Sequence, residues 1–278
     1  MNRLAIILQV LVFSSVLAGQ SLGSSATVGG PAAMAFADAD GTPRLPAAGV
    51  SVPDLAPPVS VPRMSAELAL DTYLKRASLQ AHGLAGYSAA TVIRAELPGS
   101  AQHGEFELER HYTAPRTLTF KALRYMGDAF VKTNVIARLL QSEVDHVQKD
   151  DPSGTAIGPE NYKFSCKSTT QIAGRSVHVY QVKPRKKRPG LFKGHIYLDA
   201  QTGSLVRAEG RVVKSPSLFV KKIDFVQDYT DINGFTLPVH MHTEAKAVLV
   251  GRTVVDIVNR DYQAVPAIVE PVSSAGSY

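Results

Sequence analysis

Three groups of residues in this chain have types and spacings that could do chemistry. His240 and His242 stand two apart with Glu244 two further on, so an extended strand projects all three to one side. With a ligand from across a sheet, the two imidazoles could share a metal. Yet they lie on the polar side of a one-sided strand, where histidine needs no special task, and no cysteine pair or second histidine pair supports them. The expectation is therefore no metal and no cofactor. Arg185, Lys186, Lys187 and Arg188 form a basic run between Pro184 and Pro189. It could hold the phosphates of a lipid headgroup or sit on an anionic membrane surface, at ~1 kcal/mol per cation. A solvated hairpin loop is the plainer reading. No aromatic residue is interleaved with these charges, which argues against nucleic acid. Arg110 is the third: it shares a strand face with Phe106 and Leu108, so its charge must find a carboxylate or a ligand anion. The glutamate of the first helix is the expected partner, and contact with an anionic headgroup is the alternative.

Other chemistry lacks a local context. Within 64–266 there is no Gly-x-Ser-x-Gly elbow, no His-Glu-x-x-His and no glycine-rich phosphate loop, so nothing there favours an enzyme. The single cysteine, Cys166, rules out an intramolecular disulfide. It alternates with Tyr162 and Phe164 and is expected to be a buried small hydrophobe rather than a reactive thiol.

The elements that must position these residues are mainly strands. From Gly194 to Tyr262 five successive segments alternate with period two: roughly Gly194 to Leu198, Leu205 to Lys214, Phe219 to Tyr229, Thr236 to Leu249 and Thr253 to Tyr262. Leu237, Val239, Met241, Ala245 and Ala247 share one side of the fourth, and Phe219, Ile223 and Phe225 share one side of the third. Ile232-Asn233-Gly234-Phe235 joins the two as a hairpin, and Asp199 to Gly203 suits a type I turn closed by a left-handed glycine. Earlier strands are expected over Tyr87 to Leu97, Gly104 to Tyr112, Thr117 to Arg124, Tyr162 to Ser168 and Arg175 to Lys183. Ser65 can cap a helix to about Gln80 with Leu68, Tyr73 or Thr72, and Leu79 on its apolar side. A second helix, 128 to 147, carries the stripe Phe130, Val131, Val135, Ile136, Leu139, Leu140, Val144 and Val147. Its insertion between strands would lay it across the mouth or concave face of the sheet.

The ends differ in composition from this middle. Arg3, an apolar run from Leu4 to Leu17 and small residues around Ala18 read as a secretory signal peptide over 1–23. That run is too short for the ~20 residues of a membrane span. Residues 24–63 hold seven of the 17 prolines and few large apolar side chains, which predicts a disordered linker. A single domain is expected over 64–266, followed by a disordered tail over 267–278. A formal net charge of +6 biases the chain towards anionic surfaces.

The segments Gly194 to Arg207, Val220 to Tyr229 and Asn233 to Pro238 resemble the outer-membrane lipoprotein-sorting (LolA-like) superfamily. So does the order of signal peptide, helix, hairpins, inserted helix and hairpins. The resemblance implies an unclosed antiparallel barrel whose apolar concave face is covered by helices and carries acyl chains or lipoproteins in the periplasm, or senses them. Such carriers place an arginine just before the proline that opens the third strand. Here Ala114 precedes Pro115, with Arg110 and Arg116 only nearby, and tryptophan is absent. The lid mechanism of the family therefore does not transfer.

These readings converge on an α+β fold: a strongly curved, unclosed half-barrel of about ten antiparallel strands, with helices 65–80 and 128–147 covering its concave face. The expected function is an exported, periplasmic, non-enzymatic carrier of lipid or acylated protein. The expected apolar lining is Phe106, Leu108, Tyr112, Phe120, Ile223, Phe225, Val239 and Met241, for each of which ordinary core packing is the competing reading. An envelope stress sensor or assembly factor that binds a protein partner is the alternative, and a cleft hydrolase comes third.

Overall fold

The fold is described from a computed structural model over residues 62–149, 152–214, 220–247 and 251–267. The expected signal peptide, nearly all of the linker and nearly all of the tail lie outside these residues, as do Phe219 and Leu249.

Helix α1 (Ala66–Gly83) leads into β1 (Leu84–Leu97), β2 (Gln102–Thr113) and β3 (Thr117–Gly127). A helical stretch follows: α2 (Ala129–Val131), a π-helical turn over Lys132–Ile136, and α3 (Ala137–Lys149). Seven strands complete the sheet: β4 (Tyr162–Ile172), β5 (Arg175–Pro184), β6 (Phe192–Asp199), β7 (Leu205–Val212), β8 (Val220–Ile232), β9 (Phe235–Ala247) and β10 (Gly251–Pro266). The strand order is β3-β2-β1-β10-β9-β8-β7-β6-β5-β4, with every described pairing antiparallel. β3 and β4 are thus the two open edges. The chain between them, including α2 and α3, has to pass from one edge of the ten-stranded sheet to the other.

The sheet curls because one core must serve strands far apart in the order. Leu108 of β2, Ile257 of β10, Phe225 of β8 and Val182 of β5 belong to a single buried cluster. Ten strands spaced ~4.8 Å apart could not bring them together if the sheet were flat. Tyr73 of α1 and Val131, Val135, Ile136, Leu139 and Leu140 of the inserted helical stretch belong to that cluster too, which puts both helices on the same sheet face. A smaller cluster of Leu84, Phe235 and Leu237 lies beyond it.

Local signals explain most boundaries. The Ser65 hydroxyl accepts from the Leu68 amide at 3.2 Å and starts α1. Asn233 and Gly234 take positive φ angles of 54° and 86° in the β8–β9 hairpin. Asp199 closes the β6–β7 turn: its Oδ1 accepts from the amides of Gln201 and Thr202 at 2.8 and 3.0 Å.

Several expectations are corrected. In α1, Leu68 and Leu79 are exposed, while Ala69 and Tyr73 are buried and Ala66, Leu70, Leu74 and Ala77 pack on the core. The core-facing side of this helix is thus set by Ala69 and Tyr73 with Leu70, Leu74 and Ala77, one residue or more away from the side that Leu68 and Leu79 occupy. Cys166 is exposed. It lies on β4, an edge strand that is exposed along most of its length. Val239 does not continue the alternation of β9. Asp228 pairs with His240 and Tyr229 with Pro238, which leaves Val239 as the extra residue of a bulge, half-buried. Pro238 has no amide to give a ladder and fits at such an irregularity.

Candidate ligand site

The residues expected to line the dry face are mostly engaged with one another. Leu108, Ile223, Phe225 and Met241 are buried in the main cluster, with Phe106 and Phe120 packed against it. The Phe225 ring meets Phe192 edge-on at 5.0 Å, and Phe106 meets Tyr125 at 6.0 Å. Tyr112 is buried, stacks on Tyr87 at 5.5 Å and donates to the Pro115 carbonyl at 3.1 Å. Only Val239 stands apart from this packing, at its bulge.

Arg110 has found its carboxylate on α3 rather than on α1. Its Nη1 donates to Glu143 Oε2 at 2.6 Å, and both side chains are buried. The guanidinium also lies 5.2 Å from the centre of the Phe120 ring. Burial works against the charged guanidinium, but Glu143 and Tyr87 outweigh it and hold the Arg110 pKa above its ordinary value. The sequence alone could not choose between Glu67 and Glu143, because the choice depends on which helix crosses β2.

Open space lies elsewhere. A cavity of about 400 Å³ sits between α1, the 155–160 loop and the β6–β7 turn. Tyr73, Leu74 and Ala77 come from α1, Ile157 from the loop and Leu205 from the start of β7. Periodicity offers Tyr73 or Thr72 for the apolar side of α1, whereas Ile157 stands in irregular chain with no periodic signal at all.

Hydrogen bonds fix the walls of this cavity. The buried Tyr73 hydroxyl donates to the Ile157 carbonyl at 3.1 Å, and burial pushes its pKa well above the usual tyrosine range. Gln80 and Thr236 exchange a reciprocal pair, with Gln80 Nε2 donating to Thr236 O and Thr236 N donating to Gln80 Oε1, both at 2.9 Å. Arg76 pairs with Asp231. The Asn161 side-chain amide donates to Ser153 O at 2.7 Å and to Ala156 O at 2.9 Å. Gly203, at φ 67°, comes so near α1 that a Cβ there would stand 2.8 Å from the Thr72 side chain.

Two cations of the basic run belong to the same wall. Arg185 Nε donates to Pro159 O at 2.7 Å; Arg188 Nη2 donates to Asn161 Oδ1 at 2.5 Å and Gly154 O at 3.3 Å. Lys186 and Lys187 are exposed. Among the described residues, none of the four has an ion-pair partner.

The histidine pair lies on the opposite, wet face of the sheet within a lattice of charges. His242 Nδ1 lies 2.8 Å from Asp256 Oδ1, and His240 stands 3.5 Å from both Asp228 and Asp256. Arg207 holds Asp228 at 2.6 Å, and Arg252 holds Glu244 at 2.8 Å. The Arg252 hydrogen bonds keep the Glu244 carboxyl below the usual range. Among the described residues, no group of three or more His, Cys, Asp and Glu side chains has the arrangement of a metal site. No helix among them is long and apolar enough to cross a membrane.

No protein-family model and no curated protein matches the sequence. Several solved structures are similar to it. A DUF1329 family protein from Desulfovibrio piger is 10% identical over 71% of this chain and 92% of its own, with a TM-score of 0.38. A LolA superfamily protein from Nitrosomonas europaea is 10% identical over 72% of this chain and 93% of its own, with a TM-score of 0.35. A chain of the MucA/MucB complex from Pseudomonas aeruginosa is 14% identical over 69% of this chain and 93% of its own, with a TM-score of 0.25. The solved structures to which this chain is similar thus include a LolA superfamily member.

Proposed function

We propose that this protein is an exported, non-enzymatic binder of acyl chains, taking a lipid or the acyl group of an acylated protein. The observation that carries this reading is the cavity beside α1, with its apolar wall of Tyr73, Leu74, Ala77, Ile157 and Leu205. An acyl chain gains ~0.8 kcal/mol for each CH2 removed from water, so such a wall can supply affinity without specific polar contacts. The dry face supports the cavity rather than replacing it, because helices and side chains already fill it. Export is supported by Arg3, the apolar run Leu4 to Leu17 and the small residues near Ala18.

Titration of the purified chain with a fluorescent fatty acid tests the reading. Saturable binding is expected, and Ala77→Phe, which fills the cavity from α1, is expected to weaken it at least tenfold. Circular dichroism and the melting temperature establish that the variant is folded, and Leu205→Phe provides an independent filling of the same space. No uptake by the wild type, together with no lipid retained in native mass spectrometry, would sink the proposal.

A second reading, capture of a protein partner by an envelope sensor or assembly factor, is favoured by the edge strand β3. It lies at an open edge of the sheet and exposes Leu123 and Met126, and such an edge can accept a partner strand.

A further inference from the structure

We infer that the basic loop between β5 and β6 is the headgroup site of the same ligand: Arg185, Lys186, Lys187 and Arg188 take the phosphate of an anionic amphiphile whose acyl chain occupies the cavity beside α1. This inference rests on the acyl-binding reading and names the class of ligand.

The first reason is position. Arg185 donates to the carbonyl of Pro159 and Arg188 to that of Gly154 and the side chain of Asn161. Pro159 lines the cavity and Gly154 adjoins its lining residue Thr155. The two guanidiniums therefore grip the wall of the space that would hold the chain.

The second reason is charge. All the partners of Arg185 and Arg188 are neutral oxygens, and among the described residues none of the four cations has a carboxylate within 4 Å. Glu160, the one carboxylate lining the cavity from this loop, is exposed and forms no ion pair with them. On the wet face of the sheet, by contrast, Arg207, Arg211 and Arg252 each have an acidic partner. Charge on the basic loop is left for an external anion.

Preorganisation is the third reason. Arg185 uses one nitrogen in these hydrogen bonds and Arg188 one, so each keeps further N–H donors in the planar fork that suits phosphate. Their rotamers are already fixed by the wall, which lowers the ordering cost when a ligand arrives. Lys186 and Lys187, exposed and unpaired, add mobile point charges.

The test compares two ligands with the same acyl chain, lysophosphatidylglycerol and a neutral monoacylglycerol, with glycerol phosphate as the headgroup lacking a chain. The wild type is expected to prefer the anionic ligand. Lys186→Gln and Lys187→Gln are each expected to lower the ratio of anionic to neutral affinity about fivefold, the equivalent of ~1 kcal/mol per cation. Arg185→Gln and Arg188→Gln are expected to lower it as well, and the lysine variants keep the test decisive if losing an arginine loosens the wall. A wild-type ratio near one, or a ratio unchanged in the lysine variants, overturns the headgroup site while leaving the acyl reading intact. Failure of both amphiphiles to bind overturns the two together. Glycerol phosphate binding as tightly as lysophosphatidylglycerol would mark a free-phosphate site and overturn the inference as stated.

Discussion

Arg110 of β2 and Glu143 of α3 meet at 2.6 Å in the interior, so an ion pair ties the inserted helix to the sheet it covers. Both charges are withdrawn from water, and the Arg110 Nε has no hydrogen-bond partner. Removing either residue alone strands a charge, which costs roughly 3–5 kcal/mol, whereas replacing both with apolar residues of similar size is far milder. Glu143→Gln and Arg110→Met are each expected to lower unfolding stability by several kcal/mol in urea, and Arg110→Met with Glu143→Leu to recover most of the loss. Additive losses in the double variant would disprove the coupling.

The β6–β7 turn makes a second prediction. Gly203 combines a left-handed φ of 67° with close approach to Thr72. Gly203→Ala should cost about 1–2 kcal/mol from the backbone alone, and more because the new methyl presses on α1. Since Gly203 also lines the cavity, fatty acid binding should weaken in the same variant. A melting temperature equal to that of the wild type would contradict the packing described.

Acid sensitivity should depend in part on Asp199. Burial raises its pKa, but the amides of Gln201 and Thr202 and the Arg175 guanidinium outweigh burial and hold it below the usual range. Its folded pKa is therefore below the unfolded value of ~3.9, so the stability it contributes is present above that value and lost as pH falls through the folded one. Asp199→Asn should show a shallower fall in melting temperature from about pH 5 downward than the wild type. Equal acid limbs would exclude this contribution.

At the other extreme, burial pushes the hydroxyls of Tyr180 and Tyr197 up to about 12. These folded values exceed the unfolded value of ~10, so the stability they represent is full below it and is lost as pH rises towards 12. Tyrosinate absorbance, free of tryptophan because the chain has none, should show a fraction of the ten tyrosines titrating late, together with unfolding. A single transition of all ten near the ordinary value, with the fold retained, would refute it.

For the histidine pair the expected result is a small one. His240 and His242 are partly exposed on the wet face, where such ion pairs contribute ~0.2–1 kcal/mol. His240→Ala and His242→Ala should each shift stability by less than about 1 kcal/mol. Zinc should leave the melting temperature unchanged; a rise with metal concentration would show a site that binds the folded state.

How far the sequence could be read depends on whether a signal is local. Ten strands were legible in the sequence, those after Gly194 from period-two alternation, and Asn233-Gly234 and Asp199 to Gly203 specified two of the turns, because pleat and turn geometry act over a few residues. The inserted helix was legible from its stripe, of which Val131, Val135, Ile136 and Leu139 are buried, while Phe130 at its start is exposed. In α1 the same signal misled in part, since large apolar residues occur on more than one side: Tyr73 is buried and Leu70 and Leu74 pack on the core, while Leu68 and Leu79 are exposed. Val239 was misplaced because a bulge resets the alternation without changing composition.

By itself, then, the chain of residues determined the one-sided strands, the inserted amphipathic helix and the need of Arg110 for an anion, because periodicity and desolvation are properties of short segments. Only the tertiary structure decided that Glu143 answers Arg110, that Cys166 lies on an exposed edge, and that the dry face is filled while space opens beside α1. Those outcomes depend on which distant elements meet when the ten-stranded sheet curls, and no local pattern encodes that.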